Sequence, residues 1–314
     1  EIIDNGAVDY RFIFTITRYN VKSLNLYNSN LSIMESDICL MYTLRELSLI
    51  NVTGIDNIIE RMSCCKSLSK LDMSFNRITE FSKLYDILLN TKLQILNLSF
   101  NDIEYLKYVN ENTSKILSKS ILEVLDLSNN KLTLLTIQWA LTPSLRVLNC
   151  SYNQIRNVYF SGFLLYGNAR QLSTLNLANN RNLTFEQNIF DRLTGLHEID
   201  LSATNLPSDS LPENAATLCK LYLNSNSLWD YVRFTCKYNP EYEMNLSNNP
   251  LKNIQRYDIG VNAQLRKLIL ANSELPEIYV NISSTFNLHL IDLRENRRTR
   301  RVHVITKSIC QYRL

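Results

Sequence analysis

Glycine is scarce in this chain, six residues in 314, and proline is as rare. Loops that cradle phosphate need clustered glycine so that the backbone can approach the ligand, and their absence excludes nucleotide binding of that kind. Histidine is scarcer still, with only His197, His289 and His303. Neither Cys-x2-Cys nor His-Glu-x-x-His spacing occurs, so the common zinc frameworks are excluded and neither metal nor cofactor is expected. No apolar run approaches the roughly 18 residues of a membrane helix, so no membrane span is expected. The start at Glu1 suits a mature product after signal removal or a trimmed piece.

Net charge is +3, yet unevenly placed. Residues 294–314 carry seven basic groups against Glu295, a local +6, which leaves −3 for the rest. No aromatic interleaving or nucleic-acid reading motif accompanies this run, so it is expected to be a solvated cap and no nucleic-acid partner is expected. Arg298–Arg301 resembles a dibasic processing site, but Val302–Val304 directly after it reads as a strand that would deny a protease access.

What the chain does have is a period. LEVLDLSNNKLTLL (122–135) spaces Leu122, Leu125, Leu127 and Leu132 by three, two and five, which fits neither a helix nor a strand for long. LSKLDMSFNRI (68–78), LQILNLSFNDI (93–103), LRVLNCSYNQI (145–155) and LCKLYLNSNSL (218–228) superimpose on it. Twelve repeats start at residues 21, 44, 68, 93, 122, 145, 172, 196, 218, 241, 265 and 288, at intervals of 22 to 29. Repeat ten starts weakly, on Glu241, and Val52 takes the place of asparagine in repeat two. A single repeat cannot bury an apolar face, and only stacking makes a continuous core.

These motifs resemble the leucine-rich repeat family, whose LxxLxLxxN signature stands nearly intact in eight of the twelve repeats. The resemblance implies an α/β solenoid: a leucine-rich repeat horseshoe of about twelve units, with a concave parallel β-sheet and an irregular or short-helical convex side. It covers residues 21–298; residues 1–20 are expected to form an N-terminal capping strand or hairpin, centred on residues 10–17, and 299–314 a C-terminal cap. The asparagine of each repeat is expected to satisfy backbone groups at the turn, because one carboxamide offers both donors and an acceptor. Asn76, Asn101, Asn130, Asn153, Asn180, Asn226, Asn249 and Asn296 would form that ladder, with Ser29, Thr204 and Ser273 as shorter substitutes.

The 23–24-residue period with phenylalanine in the return segment, as in LTFEQNIFDRLTGLHEIDL (183–201), is similar to animal extracellular members, and the chain resembles insect Toll ectodomains and mosquito leucine-rich immune proteins. That likeness implies an extracellular glycoprotein, secreted or part of a membrane-protein ectodomain, that binds a protein ligand or co-receptor in innate immunity or cell-surface recognition. An intracellular scaffold or effector on the same solenoid is the alternative. The chain departs from the extracellular pattern in lacking cysteines in residues 1–20 and a four-cysteine C-terminal cap.

Seven cysteines cannot all pair internally. Cys150 replaces an inward leucine and reads as a buried thiol. Cys39 lies one return segment before Cys64 and Cys65, and a disulfide from Cys39 to Cys64 or Cys65 is expected, written here as Cys39–Cys64, with the other of the vicinal pair a buried thiol beside it. The odd cysteine leaves room for a disulfide-linked homo- or hetero-oligomer. Eight Asn-x-Ser/Thr triplets occur, close to the number that composition alone would give. Asn30, Asn51, Asn112, Asn182 and Asn281 are the expected glycosylation sites, whereas Asn97, Asn149 and Asn245 belong to strands, where glycans would crowd the sheet face.

No enzyme is expected. His197 and Cys219 share the second position of adjacent repeats and could touch, yet no oxyanion site accompanies them, so they read as a strand margin. Position three alternates in charge at Glu198, Lys220, Glu243 and Lys267, a column expected to pair with itself. The same position reads Ile95, Val124 and Val147 in repeats four to six, a row expected to contact a partner, together with Phe75, Phe100 and Tyr152 at position eight. For the phenylalanines a second reading stays open, in which each packs back against the next turn.

Overall fold

The computed structural model describes residues 2–4, 20–31, 42–90, 92–106, 119–136, 143–159, 171–186, 189–208, 217–230, 232, 242–251, 257–258, 265–281, 288–297, 301–305 and 311–313. The chain forms two compact bodies, residues 1–155 with 159–172, and 156–158 with 173–314.

In the N-terminal body, seven parallel strands run in register: Ile2–Asp4, Ser23–Tyr27, Glu46–Ile50, Lys70–Asp72, Ile95–Asn97, Val124–Asp126 and Val147–Asn149. The C-terminal body repeats the arrangement with Thr174–Asn176, Glu198–Asp200, Lys220–Tyr222, Tyr242–Asn245, Leu265–Ile269, Leu290–Asp292 and Gln311–Arg313. A strand follows the start of every repeat from residue 21 to residue 288. Residues 10–17 lie outside the described residues; the strand seen beside repeat one is Ile2–Asp4.

Each strand is short because only three or four residues separate the inward leucines from the turn. In repeat five, Leu125 and Leu127 are fully buried and flank the outward Asp126. Two-residue periodicity thus holds within the strand, and stacking seals the inward row. Cys150 fills a leucine slot as a fully buried thiol. The return segments are short helices at Ile55–Ile59 and Tyr85–Asn90, with 3-10 turns at Met62–Cys64 and Phe81–Leu84. In the C-terminal body, Ile189–Arg192 is helical, while Tyr257–Asp258, Glu277–Asn281 and Arg301–Ile305 form a second parallel sheet. The expected strand at Val302–Val304 therefore exists and pairs with residues 278–280.

Repeat ten shows how a weak start is absorbed. Tyr242, not Glu241, fills the core slot opposite Leu265, and the register then shifts so that Glu243 faces Lys267. This bulge costs one residue of pairing and keeps Met244 inward.

The asparagine ladder is present as expected. Ile103 N–H donates to Asn130 Oδ1 at 3.0 Å, while Asn130 Nδ2 donates to the carbonyls of Leu98 and Leu127 at 2.9 and 3.1 Å. One side chain thus ties two successive turns. Asn76, Asn101, Asn153, Asn226, Asn249 and Asn296 repeat the pattern, each accepting a backbone N–H from the previous repeat. Val52 supplies no rung, but its own N–H donates to Asn76 Oδ1 at 2.9 Å, and Asn76 Nδ2 reaches the Leu49 carbonyl at 2.7 Å. The substitutes do less: Ser29 Oγ makes a single bond within its own repeat, to the Tyr27 carbonyl at 2.7 Å.

Replacing Asn130 by alanine orphans buried backbone groups on two repeats at once and is expected to cost about 2–4 kcal/mol in a urea titration. Ser29→Ala is expected to cost about 1 kcal/mol or less. Equal losses for the two variants would contradict the ladder's role.

Candidate functional site

The residue before each ladder position takes a left-handed backbone. Position eight has positive φ in all twelve repeats, from Asn28 (49°) to Glu295 (61°). Asparagine occupies it in six of them, at Asn28, Asn51, Asn129, Asn179, Asn248 and Asn272, and asparagine is the non-glycine residue that tolerates this region best. Paired asparagines, as in LSNNKL and LANNRNL, were the sequence signal for this turn. Phe75, Phe100 and Tyr152 sit there instead, at φ of 57°, 55° and 54°. For a bulky aromatic that conformation costs on the order of 1 kcal/mol.

These aromatics do not pay that cost back by burial. Phe75 is 52% exposed, Phe100 45% and Tyr152 58%. The two phenylalanine rings stack on each other, centroids 4.1 Å apart and planes 8° from parallel. Of the two readings of the phenylalanines, Phe75 does pack against the next turn, on the ring of Phe100, yet both rings stay about half-exposed. Tyr152 is separated from the pair by Asn129, the position-eight residue of repeat five.

The column at position three is continuous: Ile95 pairs with Val124, and Val124 with Val147. Ile95 is 38% exposed, and the two valines are half-buried. Lys70 precedes the column. In the C-terminal body the same position carries charge that pairs with itself, Lys220 to Glu198 at 3.8 Å and Lys267 to Glu243 at 3.6 Å. The two bodies therefore present different faces, apolar in one and neutralised in the other.

Position five holds a second device that the sequence reading missed. Asp72, Asn97, Asp126 and Asn149 each accept the backbone N–H two residues on, at 2.8–3.1 Å, which starts the turn. Asn97 Nδ2 also donates to Asp72 Oδ2, and Asn149 Nδ2 to Asp126 Oδ2. The Asp/Asn alternation at this position was the available signal.

A groove of about 970 Å³ runs along the aromatic pair from Asn28 to Asn129, lined by Asn51, Thr53, Asp56, Phe75, Arg77 and Phe100 among others. Asp56 is paired with Lys83 at 2.8 Å, and that hydrogen bond outweighs the opposing effect of slight burial and holds Lys83 above its ordinary range.

The cysteines resolve the remaining chemistry. Cys219 is buried and disulfide-bonded, so its sulfur cannot act as a thiolate nucleophile beside His197. Cys64 is disulfide-bonded too, with the expected partner Cys39 outside the described residues. Cys65 and Cys150 are buried thiols; burial pushes Cys65 up to about 11 and Cys150 further in the same direction. Asn30, Asn51 and Asn182 are exposed, Asn281 ends a strand and Asn112 lies outside the described residues. Among the described residues, no helix is long and apolar enough to cross a membrane.

Because position eight prefers asparagine, Asn129→Val should destabilise by about 1–2 kcal/mol, whereas Phe100→Asn should change stability by less than about 1 kcal/mol. Denaturant titration of both variants checks this; a larger loss at Phe100 would make the stack a structural element.

Two stretches match family models described as leucine-rich repeats, residues 89–105 and 122–140. The transforming growth factor beta activator LRRC33 of Danio rerio is 27% identical over 183 residues, covering 49% of this chain and 26% of that protein. The adenylate cyclase of Schizosaccharomyces pombe is 25% identical over 242 residues, covering 76% and 14%. The chain thus spans about a quarter or less of the length of these relatives. Among solved structures, the Drosophila Toll–Spatzle complex superposes with a TM-score of 0.65 at 16% identity, over 96% of this chain and 42% of that one, a likeness of fold alone. The parallel register, the asparagine ladder and the two matched repeats together show that the chain has a leucine-rich repeat fold.

Proposed function

We propose that this chain is an extracellular recognition module, secreted or part of a membrane-protein ectodomain, that binds another protein through its N-terminal body in innate immunity or cell-surface recognition. The contact residues are Phe75, Phe100 and Tyr152 at the strand ends, with Ile95, Val124 and Val147 on the sheet face. The observation that carries the reading is the Phe75–Phe100 stack: two aromatics held half-exposed in a backbone conformation that disfavours them. Exposed aromatics on a rigid scaffold are the anchors that protein interfaces use, and backbone strain retained at the surface points to function. Ile95, on the strand that leads to Phe100, and Val124 and Val147, on the next two strands, extend the apolar area over the outward sheet face.

The disulfides at Cys64 and Cys219 favour the extracellular reading over an intracellular scaffold, in which thiols stay reduced. With Cys65 and Cys150 as thiols, five cysteines remain, an odd number, so at least one has no disulfide partner within the chain. That residue is the natural link for a covalent homo- or hetero-oligomer. Catalysis has no part in the proposal: what this surface offers is shape and apolar area, not an activated group.

The test is a screen of the chain against a panel of secreted and ectodomain proteins, run in parallel with the double variant Phe75→Asn/Phe100→Asn and with Val124→Asp. A binder of the wild-type chain should weaken at least about tenfold on either variant, the loss of one anchor. Binders that hold equally well to both variants would place recognition elsewhere on the molecule.

A further inference from the structure

Phe75 gives one ring face to Phe100. On the side of the preceding repeat, whose position-eight residue is Asn51, it lines the same groove as that asparagine. Asn51-Val52-Thr53 is an acceptor triplet for an N-linked glycan. Both Asn51 and Thr53 are exposed and both line this groove together with Phe75. The acceptor amide is presented rather than consumed: Asn51 Nδ2 makes a bond of 2.6 Å to Asn28 Oδ1, and a substituted amide keeps the one N–H this needs. By contrast, the Asn97 and Asn149 amides are half-buried on the sheet face and tied to Asp72 and Asp126.

We infer that Asn51 carries an N-linked glycan whose first N-acetylglucosamine lies in this groove with its C–H face against Phe75. The inference rests on the secretory reading above. In the transfer, the sugar's anomeric C1–O bond to a lipid-linked pyrophosphate breaks and a C1–Nδ2 bond forms. The pyrophosphate leaves with the electron pair and the amide loses one proton. A pyranose ring presents a row of C–H groups on one face, and the electron-rich face of an aromatic ring is complementary to them. The hydroxyls and acetamide that point away from the ring meet Thr53, Asp56 and Arg77, so the groove offers the mixed lining that polar ligands need. Arg77 is exposed and, among the described residues, has no ion-pair partner, which leaves its guanidinium available to sugar oxygens.

The chain secreted from insect cells supplies the test, in four forms: wild type, Phe75→Asn, Asn51→Gln and the double variant. Peptide mapping reads occupancy at Asn51 and at the exposed Asn182, and thermal unfolding reads the coupling. Asn51 should be occupied, and Phe75→Asn should lower the unfolding midpoint by about 2–3 °C more in the glycosylated background than in Asn51→Gln. An unmodified Asn51 in a chain glycosylated at Asn182 would overturn the inference while sparing the secretory reading. Occupancy with identical Phe75 shifts in both backgrounds would overturn the stacking. A chain bare at every acceptor would overturn both the inference and the compartment on which it rests.

Discussion

Everything in this protein hangs on how the chain hides the backbone of its turns. Twelve times it leaves a short strand and bends inward, and each bend points N–H and C=O groups at an apolar core where water cannot reach them. A single carboxamide answers that need: Asn130 takes the Ile103 N–H and serves the Leu98 and Leu127 carbonyls, so it joins repeat to repeat as well as turn to strand. Leucine burial supplies the driving force, but the ladder sets the register in which the leucines can stack.

The ladder has a consequence at the surface. The residue before each rung takes the left-handed conformation in all twelve repeats, which turns the rung's side chain inward and sets its own at the strand end. Half of the repeats place asparagine there, and some of these side chains bond to their neighbours in turn, as Asn51 does to Asn28 and Asn272 to Asn248. The N-terminal body departs from that habit with Phe75, Phe100 and Tyr152. Its position-three column is apolar, whereas that of the C-terminal body closes on itself through Glu198–Lys220 and Glu243–Lys267. One body thus leaves interaction potential unspent and the other cancels it, which is why the recognition surface is assigned to the first.

The repeat frame, the inward leucines and the ladder were legible in the sequence because each is a one-to-one mapping from residue type to burial at a fixed period. Cys150 could be placed for the same reason, as a small apolar group in a leucine slot. The site was less legible. Exposure of Phe75 and Phe100 depends on a backbone angle, and their stacking depends on two side chains 25 residues apart arriving at adjacent rungs. Neither is written in the local pattern. Repeat ten was misread at its start because a bulge lets Tyr242 take the core slot, a local exception that periodicity cannot express. The Asp/Asn turns at position five are hidden in the sequence because their Asn-x-Ser word is also a glycosylation triplet.

The central claim is that this solenoid works in an oxidising, extracellular setting with a surface kept open for a protein. Non-reducing peptide mapping of the chain from its native source tests that setting most directly. Cys64 and Cys219 should be recovered in disulfides, Cys65 and Cys150 as thiols that alkylate only after unfolding, and at least one further cysteine outside any intrachain pair. Seven cysteines recovered as thiols from native material would contradict it and would move the protein to a reducing compartment.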